Sequence, residues 1–133
     1  MPGKWEQVHK HLWTDPDFVK LGPWGKLLFL WSWTNPGAAL CGLYVASEKQ
    51  MARGIGATPE QLREALSDNS RKPLLRYDAD AEVLWVVTRA RWANRSPKVA
   101  IAMQREVEAC PSTPLLPPFL DAYGESLNLR LID

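Results

Sequence analysis

Cysteine is scarce in this chain and long apolar runs are missing altogether. Cys41 and Cys110 are the only two thiols in 133 residues, which argues against the disulfide-rich scaffold of a small secreted domain and fits a reducing compartment. No apolar stretch approaches the roughly 20 residues that cross a bilayer, and no secretory pattern opens the sequence. The expected location is the cytoplasm, with no membrane partner. Charge of one sign is not in excess either. Sixteen basic residues against fifteen acidic ones give a net +1, so the chain is neither a polyanion mimic nor a uniformly basic body. Histidine is limited to His9 and His11. On an extended segment they would point the same way, but nothing at ligand spacing completes a metal set, and no cofactor is expected. No nucleophile lies at a recognisable spacing from a base, and no paired-carboxylate or metal-hydrolase motif is present. Gly54-Ile55-Gly56 lacks the Lys-Ser/Thr ending of a phosphate loop and reads as a turn. The chain reads as a non-enzyme.

What is present points to a folded body. A hydrophobic fraction of 46% beside 23% charged residues is the balance of an ordinary globular protein, and a domain of this length buries roughly two-thirds of its unfolded surface. Seven tryptophans stand out. Trp24 and Trp31, seven apart in a helical pattern, are expected in the core. Trp5 and Trp92 lie among polar neighbours, where an indole packs with its N–H at the surface, and are candidates for contact with a partner.

Residues 1–22 read as an N-terminal arm with a turn at Asp15-Pro16-Asp17. From Pro23 the positions Trp24, Leu27, Leu28 and Trp31 follow the i, i+3, i+4, i+7 helical template, with Pro23 suited to the first turn and Asn35-Pro36-Gly37 closing it. Gly42–Ala46 is a short β-prone run. Ser47 caps a second, short helix carrying Met51, Ala52 and Ile55, which Gly54 and Gly56 interrupt. Thr58-Pro59-Glu60-Gln61 is a capping box that opens a third helix, whose stripe of Leu62, Ala65 and Leu66 fades at Asn69-Ser70. Residues 73–77 and 82–87 form a hairpin about Asp78–Ala81. A fourth helix follows Ser96-Pro97 and ends residues 23–110, the expected domain. Prolines 111, 114, 117 and 118 predict an extended, proline-rich strap over 111–133. The expected fold is α+β and mostly helical: a winged helix-turn-helix with a two- to three-stranded sheet and an additional C-terminal helix.

Several blocks, in order, resemble a known family. They are Trp13-Thr14-Asp15, the run from Lys26 to Pro36, Gly42-Leu43-Tyr44, Thr58 to Leu62, Tyr77-Asp78, and Asn94 to Val99. Together, from Trp13 to about Tyr123, they resemble the N-terminal winged-helix domain of phage replication initiator proteins and related primosome components. The resemblance implies a domain that binds double-stranded origin DNA in a bacterial host cell and helps assemble the replication machinery, where a separate C-terminal region recruits a helicase loader or helicase. A homodimer is expected on a site longer than one winged helix covers.

Charge distribution refines where DNA would be held. Outward positions of the third helix are Glu60, Arg63, Glu64, Ser67 and Asp68, three of them acidic, so this helix is an ambiguous reader with Arg63 as its preferred contact. Between Arg71 and Lys98, seven basic residues oppose three acidic ones, a surplus of four. The expected DNA contacts are therefore Lys49, Thr58, Gln61, Arg63 and Ser67 on the helical pair, Arg71, Lys72 and Arg76 about the wing, and Arg89, Arg91, Arg95 and Lys98 beyond it. The plainer reading of the arginine segment is surface arginines snorkelling over a core tryptophan. A protein-interaction or oligomerisation module, docking through Trp5, Trp92, Phe119 and Tyr123, is the alternative function, as is a phage transcriptional regulator.

Overall fold

The computed structural model describes residues 5–93 and 95–131. Within them lie six α-helices and one three-stranded antiparallel sheet, an α+β fold. The segment before the first long helix is not extended throughout: a 3-10 helix spans Lys10–Thr14, and Asp15 then caps α1 (Pro16–Val19) by accepting the backbone N–H groups of Asp17 and Phe18. Phe18 is fully buried and fastens this short helix to the body.

Three helices form the central layer, and each begins where a local donor problem is solved. In α2 (Pro23–Thr34), Pro23 sits in the first turn, where a missing N–H costs nothing, but the N-cap is Gly22, which has no side chain to offer. The carboxylate of Asp68 supplies the cap from another helix, accepting the Gly22 N–H at 2.8 Å. For α3 (Glu48–Ile55) and α4 (Pro59–Arg71) the caps are local and reciprocal. Ser47 Oγ accepts the Gln50 N–H at 3.0 Å while Gln50 Oε1 accepts the Ser47 N–H at 2.8 Å, and Thr58 and Gln61 repeat the exchange at 3.2 and 2.8 Å. Only residues 56–58 separate α3 from α4, and Gly56 takes the left-handed conformation (φ 71°) that ends α3, a region glycine enters without steric cost.

Two helix boundaries depart from the sequence reading. Gly54 does not interrupt α3; it lies inside it because the Trp31 ring occupies the space a Cβ would need. Likewise α4 runs past Asn69-Ser70 to Arg71, because the buried Asn69 turns its amide onto the carbonyls of Ala65 (2.9 Å) and Gly25 (3.0 Å) and so clamps α4 to α2.

The sheet has strand order β1-β3-β2, with β1 (Leu43–Val45) and β2 (Leu75–Asp78) both antiparallel to β3 (Val83–Val86). Registers Leu43↔Trp85↔Arg76 and Tyr44↔Leu84↔Tyr77 divide the side chains between two faces. Tyr44 reaches α2, donating to the Ser32 carbonyl. On the opposite face the Trp85 ring meets Phe119 edge to face at 5.9 Å. All four residues of β3 are buried, as expected of a central strand packed on both sides.

The second covering layer is the clearest correction to the sequence reading. The strap expected over 111–133 is not extended in its described part, 111–131: Leu116–Tyr123 form α6, with Pro117 and Pro118 in its first turn. First-turn N–H groups have no helical acceptor, so prolines there start a helix instead of forbidding one. Before it comes α5 (Pro97–Ala109), with the Ser96 side chain accepting the Val99 N–H at 3.3 Å. Glu106 of α5 accepts the backbone N–H groups of Leu40 and Cys41 at 2.8 and 3.0 Å, Thr113 Oγ1 donates to Asp78 Oδ2 at 2.6 Å, and Leu127 and Leu129 are buried. Trp24 and Trp31, expected in the core, are half-buried; Trp33 and Trp85 occupy it instead.

Candidate nucleic-acid interface

The residues singled out from sequence fall on two separate surfaces and, in several cases, inside the protein. The first surface is the junction of α3 with α4. Lys49 and Arg53, four apart on α3, share a face with each other, and with Arg63 of α4 they border a groove of about 470 Å³ floored by Ala52 and Leu62. Glu48 is the only acid on that border. Arg53 was not anticipated, although its i+4 spacing from Lys49 on a capped helix signals it. Arg63 and Ser67 are exposed. Thr58 and Gln61 are occupied with each other's backbone in the capping box.

Asp68 is not an outward acid. Its carboxylate is spent on the Gly22 N–H, with Arg71 at 3.6 Å as an ion-pair partner. The outward acids of α4 are thus Glu60 and Glu64, both exposed. Lys72 is half-buried at the end of α4, and Arg76 is exposed on β2.

The second surface is made by the arm. Residues 5–12 run beside the body and enclose, with Phe29, Trp33 and the 3-10 helix Arg89–Trp92, a trough of about 1050 Å³. Arg89, expected to contact DNA, is only 8% exposed. Its guanidinium lies 5.0 Å from the centroid of the Trp33 ring and donates to Glu6 Oε2 at 3.0 Å. Arg89 is thus neither a free DNA contact nor a surface arginine snorkelling over a tryptophan of its own segment: it is buried against Trp33 while Trp92 is exposed, and a cation so paired is unavailable to phosphate. Gly42 makes room for it: at φ 84°, a Cβ there would stand 2.7 Å from Arg89 Cβ and from the Val86 carbonyl oxygen. The Trp33 indole N–H donates to the Gln7 carbonyl at 3.0 Å, so the arm is fastened at two successive residues.

The remaining basic residues of this segment are exposed, with Arg95 donating to the Ser126 carbonyl at 2.9 Å and Lys98 on the first turn of α5. Arg91 stands beside Tyr123, whose phenol burial pushes up and Arg91 draws part of the way back. Asn94 of the matching block lies outside the described residues.

Of the four proposed partner contacts, two are surface residues. Trp5 is 76% exposed and Trp92 59%. Phe119 is fully buried against Trp85, and Tyr123 is half-buried with its hydroxyl donating to the Val87 carbonyl. Neither can dock a partner without dismantling the layer over the sheet, which corrects that expectation.

Chemically reactive groups are muted. Burial pushes the Cys41 thiol up to about 12, with Glu106 adding to the effect, and burial also raises Cys110, so both stay protonated and inert at neutral pH. Among the described residues no group of three or more His, Cys, Asp or Glu side chains is arranged to hold a metal, and no helix is long and apolar enough to cross a membrane. Compared with protein-family models, with curated proteins and with solved structures, the chain matches none.

Proposed function

We propose that the chain is a winged-helix domain that grips double-stranded DNA in the manner of phage replication initiators. The reading rests on the element order helix, strand, helix, turn, helix, hairpin, with β1 pairing beside the hairpin, and on the resemblance of its sequence blocks. One observation carries it: Lys49, Arg53 and Arg63 gather at the α3–α4 junction while Asp68 is withdrawn into a backbone cap. Withdrawing that acid removes one of three expected repulsions from the helix that would enter the major groove. Arg63 is the base or phosphate contact, Lys49 and Arg53 hold backbone phosphates, and Ser67 and Gln61 line the same helix. Glu64 is suited to accept from a cytosine amine. Origin binding, recruitment of a helicase loader or helicase and pairing as a homodimer follow from the resemblance and belong to the same proposal.

The test is a titration of duplex DNA from the source replicon, followed by anisotropy at several salt concentrations. The expected result is binding whose log affinity falls linearly with log salt, with Lys49→Ala and Arg53→Ala each lowering that slope by about one and weakening all sequences alike, and Arg63→Ala chiefly relaxing discrimination. Absence of duplex binding at about 50 mM salt, where phosphate contacts are strongest, would sink the proposal.

A further inference from the structure

The trough beside the arm is built differently from the α3–α4 junction. Its rim carries a pile of flat rings: His11 stacks on His9 with centroids 4.6 Å apart and planes 19° apart, and His9 stacks on Trp92 at 5.5 Å and 28°. One face of Trp92 is thus covered by His9, yet the residue is 59% exposed, so the indole presents its remaining surface to solvent. Trp5, 76% exposed, lines the same trough.

The charges around these rings are one-sided once existing contacts are counted. Two acids line the trough, Glu6 and Asp15. Glu6 is engaged by Arg89 at 3.0 Å, and Asp15 accepts two backbone N–H groups at the start of α1. Lys10 and Arg91 line it as exposed cations, Arg91 with the neutral Tyr123 phenol beside it and, among the described residues, no carboxylate at ion-pair distance. Exposed aromatic faces beside exposed cations, with nearby carboxylates already occupied, suit a ligand with flat apolar faces joined by anionic links. A single strand of nucleic acid has that chemistry, because every unpaired base offers a π-face and every link a phosphate. A duplex does not, since its base faces are stacked inside.

We propose that the trough binds single-stranded DNA, with bases extending the His11–His9–Trp92 pile and stacking on Trp5, and with Lys10 and Arg91 meeting the phosphates. The site lies apart from the α3–α4 groove and stands even if the duplex reading fails.

The experiment uses the full chain and a fluorescently labelled oligo-dT of about 12 nucleotides, within the span one small domain covers. Anisotropy and tryptophan quenching are followed at low salt. Trp92→Ala and Trp5→Ala are each expected to weaken binding by roughly tenfold, in line with the loss of one stacked base, while Trp92→Phe retains most of it. Lys10→Ala and Arg91→Ala are expected to reduce the salt slope by somewhat under one each, as for a single strand. Circular dichroism and thermal unfolding of the same variants separate loss of the site from loss of the fold, and Trp5, 76% exposed, provides a variant with little fold to lose. Equal binding of an abasic oligonucleotide would overturn the proposal, since charge alone would then suffice. Absence of oligo-dT binding, or wild-type binding by the Trp5→Ala/Trp92→Ala double variant, would overturn it as well and leave the trough to a protein partner.

Discussion

Asp68 of α4 caps α2 across 46 residues of sequence, its Oδ2 accepting the Gly22 N–H at 2.8 Å. A carboxylate at a helix N-terminus both satisfies an orphan donor and meets the positive end of the helix dipole. The same oxygen stands 2.9 Å from where a Cβ on Gly25 would lie, so α2 and α4 approach closely at this point.

Replacing Asp68 by Ala should therefore cost about 1 kcal/mol, the typical worth of a helix N-cap. Arg71→Ala removes only the exposed 3.6 Å ion pair with Asp68 and should cost under about 0.5 kcal/mol. Urea unfolding of the two variants distinguishes a cap from a surface pair. Equal losses would show that the carboxylate serves Arg71 and not Gly22.

The chain has three tyrosines, and each hydroxyl donates to a backbone carbonyl: Tyr44 to Ser32, Tyr77 to Ala46 and Tyr123 to Val87. A phenolate cannot donate, and burial further disfavours it. Tyr44 and Tyr77 are accordingly pushed up to about 12, mainly by burial, and Tyr123 is raised in the same direction. An unfolded tyrosine ionises near pH 10. The neutral form is thus favoured in the folded state, and the resulting stability is full below about pH 10 and lost as pH rises toward about 12. Absorbance near 295 nm should show little ionisation around pH 10 in the native protein, followed by a steep rise as the protein unfolds. Three ordinary titrations near pH 10 without unfolding would contradict this.

Gly54→Ala tests the contact between α3 and Trp31. In a helix interior this exchange ordinarily gains up to about 1 kcal/mol. Here an added Cβ would strike the half-buried Trp31 indole, and overpacking of this kind costs about 1–3 kcal/mol. A net loss of stability is expected, together with a shift in tryptophan emission. The loss should vanish when Trp31 is also Ala, a coupling that a double-mutant cycle reads directly.

Much of the central layer was legible because its signals are local. The N-cap at Ser47, the capping box at Thr58 and the first-turn Pro23 each fix a helix start within a few residues of sequence, as Ser96-Pro97 does for α5. The hairpin was legible from two β-prone runs about Asp78–Ala81. What escaped depends on partners distant in the chain. Asp68 looks like an outward acid unless α2 lies against it, and Arg89 looks like a free cation unless Glu6 and Trp33 converge on it. Phe119 and Tyr123 followed the same rule: an aromatic behind four prolines reads as a strap until the outer face of the sheet is there to receive it. Of the candidate sites, the α3–α4 cations were partly visible through Lys49 and Arg63, whereas the ring pile needed the arm to fold back on Trp92.

The two N–H groups that Glu106 accepts make the C-terminal layer observable from the other end of the chain. The amide protons of Leu40 and Cys41 are held by a side chain of α5 and not by a strand or helix of their own. They exchange with solvent deuterium when the Glu106 contact breaks, as it must when α5 lifts away or the whole body opens. If the two events coincide, these protons exchange at the rate of β3; if α5 peels off first, they exchange sooner, and two backbone signals report how independently the outer layer breathes.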